Sequence, residues 1–291
     1  MTKTLNNVKT ALLLGGMMGL FLAVGSFYGQ QGMIMGLVLG GLMNVIAWFF
    51  SDKIAIAAMR GQEVVPETPG IGGALYQQVD ELRQRAGLPM PRVFVCPHDA
   101  PNAFATGRSP SHASVAVTEG ALRLLTLDEL RGVLGHEQAH VKNRDTLTSC
   151  IAATIAGVLA FLAQWGFYLG GGRGRSEGHP LAQVLVIILA AVGAAIIKAM
   201  ISRSREYVAD HDGAEIAGTP DGLIGALSKL EMASQRVPLH NPNPAQNNLF
   251  IVEPLTGGTL MNLFATHPPM ERRIEALTAQ REEMRAKGQI R

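Results

Sequence analysis

His136-Glu137-Gln138-Ala139-His140 is the stretch whose residue types and spacing could do chemistry. On a helix the two histidines stand one turn apart on the same face, where both imidazoles can converge on one metal ion. Glu137 lies between them, close to whatever such a metal holds in its open position, which suits it to take a proton from a bound water. The chemistry this spacing suggests is peptide hydrolysis by a zinc-activated water. With eight histidines in 291 residues, the pattern arises by accident in about one chain in a hundred. Its neighbours must decide.

Zinc needs a third protein ligand, and a catalytic site keeps its fourth position for water or substrate. Glu206 is the candidate, on a predicted helix, and Asp210 follows at i+4 on the same face. From there Asp210 could hydrogen-bond a ligand histidine, fixing its tautomer and raising its basicity. The alternative is that Glu206 and Asp210 pair with Arg203 and Arg205 on a solvated face. A metal carrier or scaffold with structural zinc would close its site with four protein ligands, whereas three are found here with a base beside them. His98, His112, His179, His211 and His240 lack claw spacing and read as surface or structural residues. No basic stripe with interleaved aromatics appears, so no nucleic-acid partner is expected.

Several elements must position these residues. At 47% hydrophobic and 16% charged the chain is apolar for a soluble protein, and the apolar residues are concentrated. The spans 11–28 and 32–50 are charge-free and near the length that crosses a hydrocarbon core of about 30 Å. They read as a transmembrane hairpin within residues 1–60, although Lys3 and Lys9 before the first run would also suit a signal peptide. Runs 147–169 and 181–201 carry one charge, Lys198, and are read as a second spanning hairpin, with buried core helices as the alternative. Aromatics at Phe27-Tyr28, Trp48-Phe49-Phe50 and Trp165 to Tyr168 sit where interfacial belts lie. Lys3, Lys9, Lys53, Arg60, Lys142, Arg144, Arg203 and Arg205 would share one side of a four-span protein, which favours a cytoplasmic body. Cys96 in a predicted strand and Cys150 in an apolar segment imply no disulfide, in keeping with that compartment.

The catalytic part divides into residues 61–146 and 202–291, on either side of the second hairpin at 147–201. Val64 to Gly70 reads as a linker and Ala74 to Arg85 as a helix ending at Gly87. Arg92 to Cys96 reads as a strand, and Asn102 to Gly107 with Ala113 to Thr118 as a β-hairpin around Arg108 to His112. Thr126 and Glu129 have capping-box spacing at the start of the zinc-claw helix, which can run through His140 towards Asp145 and on into the third apolar run. A last amphipathic helix spans Pro269 to Lys287. Ala113 to Thr118, represented by Ser114, Val115 and Ala116 with Asn102, Ala103 and Phe104 beside them, could take a substrate strand by β-augmentation. An ordinary hairpin packed on the active-site helix is the alternative.

The chain resembles the bacterial HtpX family of integral-membrane zinc metalloproteases, relatives of the CAAX prenyl proteases. The resemblance rests on the N-terminal hairpin, Pro101 to Gly107, Gly135 to Asp145, Ser202 to Asp210, and Thr266-His267-Pro268-Pro269 followed by Arg273-Ile274. It implies one zinc ion per chain on His136, His140 and Glu206. It also implies a mainly α-helical membrane protein with a zincin-like α+β catalytic domain, a small sheet beside the active-site helix and about four transmembrane helices. Its catalytic domain would face the cytoplasm from the inner membrane and degrade misfolded or damaged membrane proteins in quality control. His267, or else Arg273, becomes the candidate donor to the transition-state oxyanion, with a structural pairing of Arg273 to Glu206 or Asp210 as the alternative. Gln138 is more polar than the family resemblance leads one to expect, at a position that is not a ligand.

Overall fold

A computed structural model describes residues 2–26, 29–149, 151, 203–236 and 268–290. His267 and nearly all of runs 147–169 and 181–201 lie outside them. The described part is mostly helical with one small mixed sheet.

Helices α1 (Thr2–Ser26) and α2 (Gly29–Ala58) form an antiparallel pair. A side chain on Gly36 would collide with the backbone of Phe21, so glycine permits the close approach, and Asn44 Nδ2 donates to the Leu14 carbonyl at 3.1 Å. Among the described residues α2 is the one helix long and apolar enough to cross a membrane, and only 17% of its most apolar window is buried. Met35, Leu37, Val38 and Leu42 are exposed along it, so it is not the core helix of a globular domain. The apolar stretch of α1, Asn7–Ala23, is shorter.

The sheet has the order β1-β2-β4-β3, with β1 (Gln62–Val64), β2 (Arg92–Cys96), β3 (Ala103–Gly107) and β4 (Ala113–Thr118). β3 and β4 are the expected hairpin, turned by Pro110–His112, and β2 joins β4 in parallel. Two sequence expectations are corrected here. Val64 belongs to a strand rather than a linker, pairing with Val93 while Glu63 and Arg92 form an ion pair at 2.7 Å. β4 is interior, hydrogen-bonded on both sides and buried at all six positions. Ser114, Val115 and Ala116 therefore have no free edge to offer a substrate strand.

Helix α3 (Ile71–Ala86) ends at Gly87, whose φ of 69° is the left-handed cap that glycine takes at least cost. Helix α4 (Glu119–Leu124) leads into α5 (Leu127–Asn143). The α5 capping box is present in both directions: Thr126 Oγ1 accepts from the Glu129 N–H at 3.3 Å, and Glu129 Oε2 accepts from the Thr126 N–H at 2.8 Å. Such a cap contributes about 1 kcal/mol. The helix does not run on into the apolar segment. Arg144 takes φ 59° and ψ 33°, which ends α5, and helix resumes at Asp145 on a new axis.

Helices α6 (Arg203–Ala217), α7 (Asp221–Arg236) and α8 (Met270–Ala286) complete the described chain. Leu75, Val79, Val115, Val133, Leu134, Leu223 and Leu277 belong to one core shared by α3, the sheet, α5, α7 and α8. α6 lies directly on α5 because both carry glycine at the crossing. An added Cβ on Gly213 would stand 2.7 Å from the backbone of His136, and one on Gly135 would stand 2.6 Å from the Gly213 carbonyl.

Candidate metal centre

The α5–α6 crossing sets the candidate site. His136 and His140 project from successive turns of α5, and their Nε2 atoms stand 3.1 Å apart. Glu206, from the first turn of α6, places Oε2 3.7 Å from His136 Nε2 and Oε1 3.7 Å from His140 Nε2. Zinc with four ligands at about 2.05 Å separates neighbouring ligand atoms by about 3.3 Å, and these three distances bracket that value. His136 is 2% exposed and Glu206 5%, while the His140 side chain keeps 16% of its surface open.

Carboxylates stand behind both imidazoles. Asp210 Oδ1 lies 2.9 Å from His136 Nδ1, and Asp145 Oδ2 lies 3.2 Å from His140 Nδ1. With a proton on each Nδ1, both Nε2 atoms present lone pairs to one another and to Glu206, which is repulsive unless a positive charge sits among them. The electrostatics agree. Burial pushes the His140 pKa down, but a hydrogen bond with Asp145 and the charges of Glu206, Glu137 and Asp145 outweigh it and hold it at about 9. A proton on His140 or a divalent metal answers the same demand, and the imidazole–imidazole–carboxylate donor set suits zinc.

Glu137, next along α5, is buried, and its Oε2 accepts the Ala105 backbone N–H at 2.7 Å. Burial raises its pKa above the ordinary carboxylate value, with Glu206 adding and His136, His140 and the Ala105 N–H opposing. Arg273, from α8, is fully buried and clasps Asp210 through Nε at 2.8 Å and Nη2 at 2.6 Å. Its Nη1 lies 3.7 Å from Glu206 Oε2 and makes no hydrogen bond among the described residues. Burial opposes the guanidinium charge, and Asp210 foremost, then Glu206 and Glu137, raise its pKa nonetheless.

The structure thus brings together His136, Glu137, His140, Glu206, Asp210 and Arg273. Glu206 and Asp210 are not on a solvated face, being 5% and 2% exposed, and Arg205 pairs with Asp145 at 3.4 Å instead. Asn102, Ala103 and Phe104 are buried at the start of β3, and Phe104 packs with Ile56, Met59 and Ala116. Ser114, Val115 and Ala116 are buried in the interior strand β4. Asp145 as the partner of His140 and the Ala105 N–H as the partner of Glu137 were not foreseen. The first depends on the break at Arg144, and the second is a backbone group that no side-chain pattern marks.

Comparison with known proteins bears on the same residues. The sequence profile described as Peptidase family M48 matches residues 72–281. The protease HtpX homolog of Syntrophobacter fumaroxidans is 50% identical over 277 residues, covering 92% of this chain and 97% of that protein. The protease HtpX homolog of Desulforapulum autotrophicum is 47% identical over 279 residues, covering 94% and 89%. Among solved structures, S. mikatae Ste24p superposes with a TM-score of 0.54 at 18% identity, covering 95% of this chain and 65% of that longer one. That likeness speaks for the fold alone.

Proposed function

We propose, for a chain that belongs to peptidase family M48 and is a metallopeptidase, a zinc-dependent endopeptidase that works at a membrane surface on exposed segments of misfolded or damaged membrane proteins. The observation that carries this reading is the convergence of two imidazole Nε2 atoms and the Glu206 carboxylate beside a buried Glu137.

His136, His140 and Glu206 would hold the metal, with Asp210 and Asp145 fixing the ring orientations. Bound zinc supplies a water of lowered pKa and a Lewis acid for the scissile carbonyl. Glu137 takes the water's proton and returns it to the leaving amine, and its burial-raised pKa brings it nearer the working pH, where one group can serve as both base and acid. The Ala105 N–H points away from β4 and onto Glu137, so the outer edge of β3 runs past the base. An extended substrate would add along that edge, beginning at Asn102, Ala103 and Phe104. His267 precedes α8 by three residues, and α8 reaches the site through Arg273. It is the proposed donor to the developing oxyanion, with Arg273 kept for support.

The membrane reading is supported by α2, a 30-residue helix whose most apolar window is mostly unburied. With α1 and the two runs at 147–169 and 181–201, it would make a four-span protein of the bacterial inner membrane with its catalytic body in the cytoplasm. The test is metal content and casein cleavage by the purified protein beside its Glu137→Ala and Glu206→Ala variants. Glu137→Ala should keep its metal and lose at least about 100-fold in cleavage, and Glu206→Ala should lose the metal. Undiminished cleavage by Glu137→Ala would overturn the mechanism.

A further inference from the structure

A cavity of about 280 Å³ lies between the helical hairpin and the catalytic body, and the metal centre does not use it. Thr10 of α1, Trp48 of α2, Arg108 and His112 of the β3–β4 turn, and Arg144 and Thr146 after α5 are among its lining residues. Two guanidiniums face this space with hydroxyls around them, and among the described residues no carboxylate lines it. Neither Arg108 nor Arg144 is in an ion pair among the described residues. Arg108 lies over the Phe49 ring at 5.4 Å, an arrangement that leaves its in-plane N–H donors available. The volume is at the small end of ligand pockets, the size for a headgroup rather than a peptide.

Depth along the hairpin identifies the occupant. Thr10 stands 16 residues before the end of α1 at Ser26 and Trp48 stands 19 after the start of α2 at Gly29, which at 1.5 Å per residue places both about 24–29 Å from the end where the hairpin makes its turn. A hydrocarbon core is about 30 Å thick. If the turn lies at one face of the bilayer, the cavity lies at the headgroup level of the other, with an interfacial tryptophan at its rim. We infer that this cavity binds the phosphate headgroup of an anionic phospholipid through Arg108 and Arg144, seating the catalytic body on the membrane. The inference rests on the membrane reading of α1 and α2 given above.

The test uses the full-length protein in a Trp165→Phe background, so that Trp48 alone reports. Dihexanoyl phosphatidylglycerol is titrated against Trp48 emission, with dihexanoyl phosphatidylcholine and inorganic phosphate as parallel probes. Saturable binding of the glycerol lipid is expected, with no saturable response to the choline lipid. Arg108→Gln and Arg144→Asn should each weaken it about tenfold, and Arg108→Lys should recover part of the loss. Asparagine is used at 144 because it tolerates the left-handed backbone there, so the charge is removed and the turn kept. Melting curves like the parent's confirm that the variants fold. Equal binding by the arginine variants overturns the assignment, as does an equal response to the choline lipid. Saturation by inorganic phosphate at the same concentrations assigns the cavity to free phosphate and overturns the lipid. Flotation on neutral phosphatidylcholine liposomes tests the membrane reading separately. A protein that does not float removes that reading and this one with it, whereas one that floats without saturable binding overturns the cavity alone.

Discussion

Replacing Arg273 by leucine removes one partner of a fully buried ion pair, and the structure sets the size of the effect. Arg273 is 0% exposed and Asp210 2%, so water does not screen the pair as it screens a surface bridge. The clasp is bidentate, at 2.6 and 2.8 Å. Removing one member of such a pair costs about 3–5 kcal/mol, because the other charge is left buried. For a chain of this length that is about 6–20 °C in melting temperature. The pH dependence has a definite sign. Burial pushes the Asp210 carboxyl up, but the charge and hydrogen bonds of Arg273, with help from His136, hold it below the ordinary value. In the parent, Asp210 therefore contributes stability above the unfolded carboxylate pKa, and this is lost as pH falls through the lower folded one. Without Arg273, burial prevails and the carboxyl titrates high. The deficit should be largest at neutral pH and shrink as acid protonates Asp210. Arg273→Leu with Asp210→Asn should recover part of the loss. The assay is thermal unfolding in detergent by circular dichroism at pH 7.5 and pH 5, with metal affinity measured by competition against a chromogenic chelator. An Arg273→Leu variant melting within about 2 °C of the parent at pH 7.5, with unchanged metal affinity, would refute the reasoning.

Three further outcomes are expected. Asp145→Asn weakens the carboxylate hold on His140 Nδ1 and should lower metal affinity about 10–100-fold, read by the same chelator competition. Gly213→Ala forces a Cβ to within 2.7 Å of the His136 backbone. It should cost about 1–3 kcal/mol by overpacking and reduce bound metal by moving Glu206 away from the histidines; full metal content by plasma emission analysis would count against that coupling. Gln138 is fully buried, and neither of its amide atoms has a hydrogen-bond partner among the described residues. Gln138→Leu should therefore raise stability by about 1–3 kcal/mol, seen as a higher melting temperature, and a lower one would show that the amide is satisfied after all.

Local order in the chain explains what could be read ahead of the structure. The zinc-claw helix was legible because its cap, Thr126 with Glu129, and its spaced histidines are encoded within 15 residues. The β3–β4 hairpin was legible for the same reason. β1 was not, since Gln62-Glu63-Val64 is too short to show alternation, and Arg92, which lies 29 residues away, is what gives Glu63 its partner. The interior place of β4 also escaped, because strand order is settled by long-range pairing with β2, which periodicity within β4 cannot express. Glu206 could be nominated from a carboxylate pair at i and i+4. Its reach to both histidines depends on the Gly135–Gly213 crossing, a contact between residues 78 positions apart.

The break at Arg144 shows how a departure from regularity can be the functional part of a helix. Five residues along an unbroken α-helix amount to about 500°, which would put Asp145 about 140° around the axis from His140 and out of reach of its ring. The apolar run that follows favours such continuity. Arg144 instead takes a left-handed conformation that costs a non-glycine residue about 1–2 kcal/mol. The Arg144 N–H is bonded to the Val141 carbonyl at 3.2 Å, and the chain turns back so that Asp145 reaches His140 Nδ1 and Arg205 of α6 together. Asp145 thereby ties the second histidine of α5 to the residue beside Glu206, and Asp210 ties the first histidine to α8 through Arg273. Each imidazole is fixed by a carboxylate that is itself held by an arginine from the other half of the chain. Residues 61–146 and 202–291 cannot separate without releasing both rings. The strain at Arg144 is therefore offset in the folded site, and a residue that relaxed it by continuing the helix would lose the hold on His140.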